Sequence, residues 1–178
     1  MRYAVLLVVG YIMLATATAA EEARVARSNY EPYQFLIGDW DSPGTGGGQI
    51  HQSFRWGPDQ SYISYTTFVR PKSDAPEKVH FDGIMVWNAA HRTLDYLFVL
   101  EPGSGAQEQG TVHSEADGTI VRDVALTGGN GTSGRFRQTF RQTGPDDAVT
   151  SLMRQTASGW EPTFPGSDNL LMTRRRAG

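Results

Sequence analysis

Arg122 stands in the run Ile120-Val121-Arg122-Asp123-Val124-Ala125-Leu126, on one face of an alternating segment with Ile120, Val124 and Leu126. A guanidinium keeps its charge when buried. An inward arginine therefore needs a carboxylate, a hydrogen-bonding network or the anionic head of a bound molecule. Similar polar intrusions recur: Gln52 with Ile50 and Phe54, Gln138 with Phe136 and Phe140, and Ser151 and Gln155 with Val149 and Met153. Among apolar walls such groups orient a small ligand. The alternative is a change of frame, since one bulge near Arg122 would turn it to solvent. If the partner is a ligand's carboxylate, Arg122→Met keeps the fold and weakens that ligand by ~2–5 kcal/mol.

Motifs for covalent or metal chemistry are missing. The histidines, His51, His80, His91 and His113, form no H-E-x-x-H and no pair at ligand spacing, and cysteine is absent, so no metal site is expected. There is no G-x-S-x-G elbow, no P-loop and no dinucleotide fingerprint leading into a helix, and no catalytic residue is assigned. His51 and His80 fall on the less apolar faces of their strands and His91 in a turn, which reads as solvated side chains. An enzyme would need a titratable pair facing a cavity. The candidates are His80 with Asp82, which share what reads as the outer face, or Arg122 with a carboxylate.

The elements that must position these residues alternate with period two. The runs are Gln49 to Trp56, Tyr62 to Val69, Val79 to Trp87, Arg92 to Glu101, Thr119 to Thr127, Arg135 to Thr143 and Asp147 to Thr156. Val79, Phe81, Met85 and Trp87 share one face, as do Leu94, Tyr96, Phe98 and Leu100. Turn signals separate the runs, among them Gly57-Pro58-Asp59, Asn88-Ala89-Ala90-His91, Gly128-Gly129-Asn130-Gly131 and Gly144-Pro145-Asp146. Asp117-Gly118 lies between two strand-like runs as a two-residue hairpin candidate. Gly44 to Gly48 reads as a mobile connection between the first two strands. No window beyond residue 34 carries a helical apolar repeat. Eight to ten antiparallel strands follow, in a sandwich or a barrel.

Phe35-Leu36-Ile37-Gly38-Asp39-Trp40 resembles the opening of lipocalin-like (calycin) barrels, with Gly-x-Trp on the first strand after a short leader. In that superfamily the tryptophan plugs the closed end and a basic side chain near the last strand packs over its ring. The chain ends Leu170-Leu171-Met172-Thr173-Arg174-Arg175-Arg176, so the resemblance implies structural roles for Gly38, Trp40 and Arg174. Phe81 to Asn88 also looks like the mid-barrel strand of uncharacterised secreted bacterial lipocalin-like domains. The resemblance covers about residues 35–176. A related calycin group, the nitrobindins, binds haem through a histidine near the C-terminus. No histidine follows His113 here, so haem is not carried over and no cofactor is expected.

Residues 1–19 read as a secretory signal: Met1-Arg2, then the apolar stretch Ala4 to Ala15, then Ala17-Thr18-Ala19 at the cleavage site. An uncleaved anchor is the alternative, but the stretch is short of the ~20 residues needed to span a bilayer. Without cysteine, a lipid-anchored lipoprotein is excluded. Cleavage would leave 159 of the 178 residues and move the formal charge from −3 to −4. That charge offers no footprint for nucleic acid or an anionic membrane, and no stable membrane anchor is expected. The reading is an all-β, antiparallel up-and-down barrel of eight to ten strands, spanning residues 35–176 after a 20–34 leader, in the periplasm or secreted. It binds a small apolar or amphipathic molecule in its mouth. The expected lining is Trp56, Tyr65, Phe81 and Tyr96, with Arg122, Gln138 and Met153. The rivals are an isomerase, cyclase or hydrolase of a small hydrophobic molecule, and a ligand-free envelope protein whose outer face, at Leu97 and Val99, meets another protein.

Overall fold

The computed structural model describes residues 28–101 and 103–176. The expected signal segment lies outside them. The strands all belong to the unit that spans residues 32–178. They are β1 Gly38–Pro43, β2 Gln49–Trp56, β3 Ile63–Arg70, β4 Lys78–Asn88, β5 Thr93–Leu100, β6 Ala106–Ser114, β7 Ile120–Thr127, β8 Ser133–Gln142, β9 Asp147–Thr156, β10 Gly159–Pro162 and β11 Leu170–Arg174. Each strand from β1 to β9 pairs antiparallel with the next, and β11 lies between β9 and β1. The result is a closed up-and-down barrel of ten strands. The short β10 is an appended hairpin that pairs with the second half of β9, along the edge whose first half holds β11. Among the described residues beyond residue 30, helical structure is confined to the 3-10 turns Glu31–Leu36, Thr45–Gly47 and Pro58–Gln60. Among the described residues, no helix is long and apolar enough to cross a membrane.

Closure is made where the chain's first and last strands meet. Trp40 is fully buried, and its indole nitrogen donates to the Leu36 carbonyl at 2.8 Å. The Arg174 guanidinium carbon lies 4.3 Å from the Trp40 ring centroid. Its terminal nitrogens donate to the carbonyls of Ile37 (2.7 Å) and Phe35 (2.9 Å). Gly38 has φ +129°, and a Cβ there would fall 2.5 Å from an Arg174 nitrogen. Only glycine satisfies both demands at once.

Parity decides which side chains fill the barrel. Phe54, Tyr65, Phe98 and Phe140 stack or meet edge to face in its interior. Gly83 is the inward residue between Tyr65 and Phe98, whose rings meet across it at 5.2 Å between centroids. A Cβ at Gly83 would run into the Leu97 carbonyl, so the missing side chain lets β4 curve between its neighbours. The Asp117-Gly118 turn is longer than the two residues expected. Glu115 and Thr119 close it, and Gly118 NH donates back to the Glu115 carbonyl at 3.0 Å, the three-residue type that matches strand twist with a positive φ at its last position.

Trp40→Ala is expected to lower the unfolding free energy by ~3–5 kcal/mol in urea titration. Gly83→Ala should cost ~1–3 kcal/mol through overpacking alone. A neutral Gly83→Ala would show that the strand has room the backbone geometry denies it.

Candidate functional site

One end of the barrel interior holds a cavity of about 350 Å³. Its apolar wall comes from the inward residues Ile50 of β2, Val69 of β3, Phe81 of β4, Leu126 of β7, Phe136 of β8 and Leu152 of β9. Arg70 at the end of β3 and, from the connections, Gly44, Thr45, Pro71, Thr163 and Phe164 also reach it. Into this wall four strands insert polar groups: Gln52, Glu108, Arg122 and Gln138, each nine-tenths or more buried.

Arg122 is paired from within the barrel. Its Nη1 lies 3.5 Å from Glu108 Oε2 and donates to the Tyr96 hydroxyl, which in turn donates to Glu108 Oε2 at 3.2 Å. The guanidinium also sits 4.8 Å from the Tyr96 ring centroid. Gly110, the inward residue between Glu108 and Val112, has no side chain to stand between the two charges. Burial works against the charge on Arg122, but Tyr96, Glu108 and Tyr65 outweigh it and raise its pKa overall. Burial also raises the pKa of Tyr65, and lifts that of Tyr96 well above the ordinary tyrosine range. Both phenols are therefore neutral near physiological pH. Gln52 Nε2 donates to the Tyr65 hydroxyl. Gln138 Nε2 donates to Thr150 Oγ1 at 3.2 Å, and that hydroxyl donates to the Thr139 carbonyl at 2.7 Å.

The expected lining residues divide. Tyr65, Phe81, Arg122 and Gln138 reach the cavity. Tyr96 is buried and anchors the charged pair without lining the space. Trp56 faces inward opposite Ile63 but lies away from the cavity, toward the other end of β2. Met153 is a correction: it points outward, opposite Arg137. The reason is that β9 is apolar on both faces. Ala148, Thr150 and Leu152 take the interior, leaving Val149, Ser151, Met153 and Gln155 outside, where Ser151 shares a 2.7 Å hydrogen bond with Thr139.

Two histidines depart from the solvated settings expected of them, His80 in its position and His51 in its burial. A bulge in β4 leaves His80 unmatched, with Thr67 opposite Phe81 and Phe68 opposite Val79. It brings His80 to the cavity, parts it from the exposed Asp82, and turns Val79 outward. His51 is on the outer face as expected but is buried, with Nε2 3.2 Å from Asp39 and Nδ1 3.5 Å from Glu77, its ring stacked on Phe68.

Glu108 was illegible in the sequence because its strand shows no alternation. The inward residues of β6 are Ala106, Glu108, Gly110, Val112 and Ser114, small or charged except for one. The available signal was indirect: a carboxylate on an inward position is one of the partners that an inward arginine calls for.

The fold and site define a class, a closed antiparallel barrel with a chamber of ligand size at one end. No family model matches the sequence, and no curated protein matches it. Among solved structures the chain is similar to the crystal structure of Rv2717c from M. tuberculosis, with a TM-score of 0.53 and 17% identity, covering 83% of this chain and 98% of that one. The likeness is one of fold.

Since Glu108 supplies the carboxylate, the expectation that Arg122→Met keeps the fold is revised. That variant leaves a buried carboxylate without its partner and should cost ~3–5 kcal/mol. Adding Glu108→Leu should recover most of the loss in the same urea titration. A harmless single variant would remove Glu108 as the partner.

Proposed function

We propose that this protein is an exported lipocalin-like barrel that binds a small, largely apolar molecule in the chamber at the mouth. The observation that carries the reading is the cavity of about 350 Å³, which falls in the ~300–1,000 Å³ range of small-molecule sites. Its apolar walls and few convergent polar groups are the usual composition of such sites. The placement of Arg174 over Trp40 supports the lipocalin-like part of the reading.

The enzyme reading draws on the same pair, Arg122 and Glu108. Glu108 is tied to Arg122 and Tyr96, an arrangement better suited to holding charge still than to moving a proton. The outer-face reading has Ile84, Val86, Leu97 and Val99 exposed on neighbouring strands, but it leaves the chamber without a use.

The neutral probe N-phenyl-1-naphthylamine should gain fluorescence on binding the protein. Leu152→Trp, which projects an indole into the chamber, should reduce the gain while the β-type circular dichroism persists. An undiminished gain in that variant would place the probe elsewhere and remove the chamber as the binding site. Export has its own check. The mass of protein recovered from the envelope or medium should match a chain beginning near Ala20, and a mass retaining residues 1–19 would refute cleavage.

A further inference from the structure

Two wall atoms constrain the head of the bound molecule. Arg122 commits Nη1 to Tyr96 and Glu108, while its Nε is buried with no acceptor among the described residues. Gln52 commits its amide nitrogen to Tyr65 and leaves Oε1 buried with no donor among them. Each residue is only 3% exposed, and both line the same chamber. An unmatched donor and an unmatched acceptor in an apolar space are costly. Together they call for a group that accepts one hydrogen bond and donates another.

Charge narrows the choice. Glu108 already answers the guanidinium, so an anionic ligand would set a second negative charge beside Glu108 in a medium that screens poorly. An ionised carboxylate also has no hydrogen to give Gln52 Oε1. A hydroxyl meets both requirements without adding charge. The remaining wall is apolar and suits a hydrocarbon tail. A cavity of about 350 Å³ lies at the lower end of the ~300–1,000 Å³ range of small-molecule sites, which suits a tail of medium length.

We propose that the chamber takes a neutral amphiphile, a medium-chain primary alcohol, in preference to the carboxylate of the same length. Its hydroxyl accepts from Arg122 Nε and donates to Gln52 Oε1. This rests on the ligand-binding reading above and specifies its chemistry.

The test uses the full mature protein with bound N-phenyl-1-naphthylamine, displaced by 1-decanol or by decanoate at about pH 8, where the acid is ionised. The alcohol should bind at least about tenfold more tightly, the scale set by one charge or hydrogen bond left unmatched. Gln52→Met should weaken the alcohol by about tenfold and leave decanoate nearly unchanged. The wild-type ratio needs no variant, so a misfolded Gln52→Met does not remove the test. Decanoate binding as tightly as the alcohol, or more tightly, overturns the head-group assignment and leaves chamber binding intact. The same holds if the probe binds and neither compound displaces it. If the probe itself does not bind, both readings fall together.

Discussion

A ten-strand sheet becomes a barrel only if its last strand finds its first, and in this protein that meeting depends on Arg174 packed over Trp40. The direct pairing between β1 and β11 is short, with Trp40 opposite Arg174 and Asp41 opposite Thr173. Backbone hydrogen bonds alone would make a weak seam. The guanidinium strengthens it by joining three things: the tryptophan face, the carbonyls of Phe35 and Ile37, and the Asp146 carboxylate at 3.3 Å. The glycine at 38 follows from the same contact, because the arginine occupies the place a Cβ would take.

Closure removes the sheet edges and creates an interior that ten strands cannot fill completely with side chains of ordinary size. Aromatic residues pack part of it, through Phe54, Tyr65, Tyr96, Phe98 and Phe140. The remaining end stays open as the chamber, and there the barrel accepts a buried ion pair. A filled apolar core of the same volume would be at least as stable. Keeping Arg122, Glu108, Tyr96 and Gln52 against that alternative is reasonable where a molecule must be oriented and not merely enclosed.

Much of the architecture was legible because alternation reports which face of a strand is wet. Gln49 to Trp56 and Asp147 to Thr156 were delimited to the residue, and the polar positions Gln52, Arg122 and Gln138 were placed on the interior. Legibility failed where alternation carried no information. β9 has apolar residues on both faces, so its frame was read one residue out and Met153 and Ser151 were assigned to the interior. β6 has hardly any apolar residues, so its face was unmarked and Glu108 went unseen. In β4 a single bulged residue, His80, reversed the pattern for everything before it.

The sequence by itself determined that the chain beyond residue 34 is built of eight to ten antiparallel strands, and that an arginine stands among apolar neighbours on β7. These are local properties, set by side-chain period and turn chemistry within a few residues. Only the tertiary structure decided that ten strands close, that the cavity lies at one end, and that Arg122 has Glu108 for a partner. Those facts depend on the register between neighbouring strands and, for closure, on β11 reaching β1, and a shift of one residue would exchange the inside for the outside. No local pattern holds that information, because the energy that selects the register comes from contacts across the barrel.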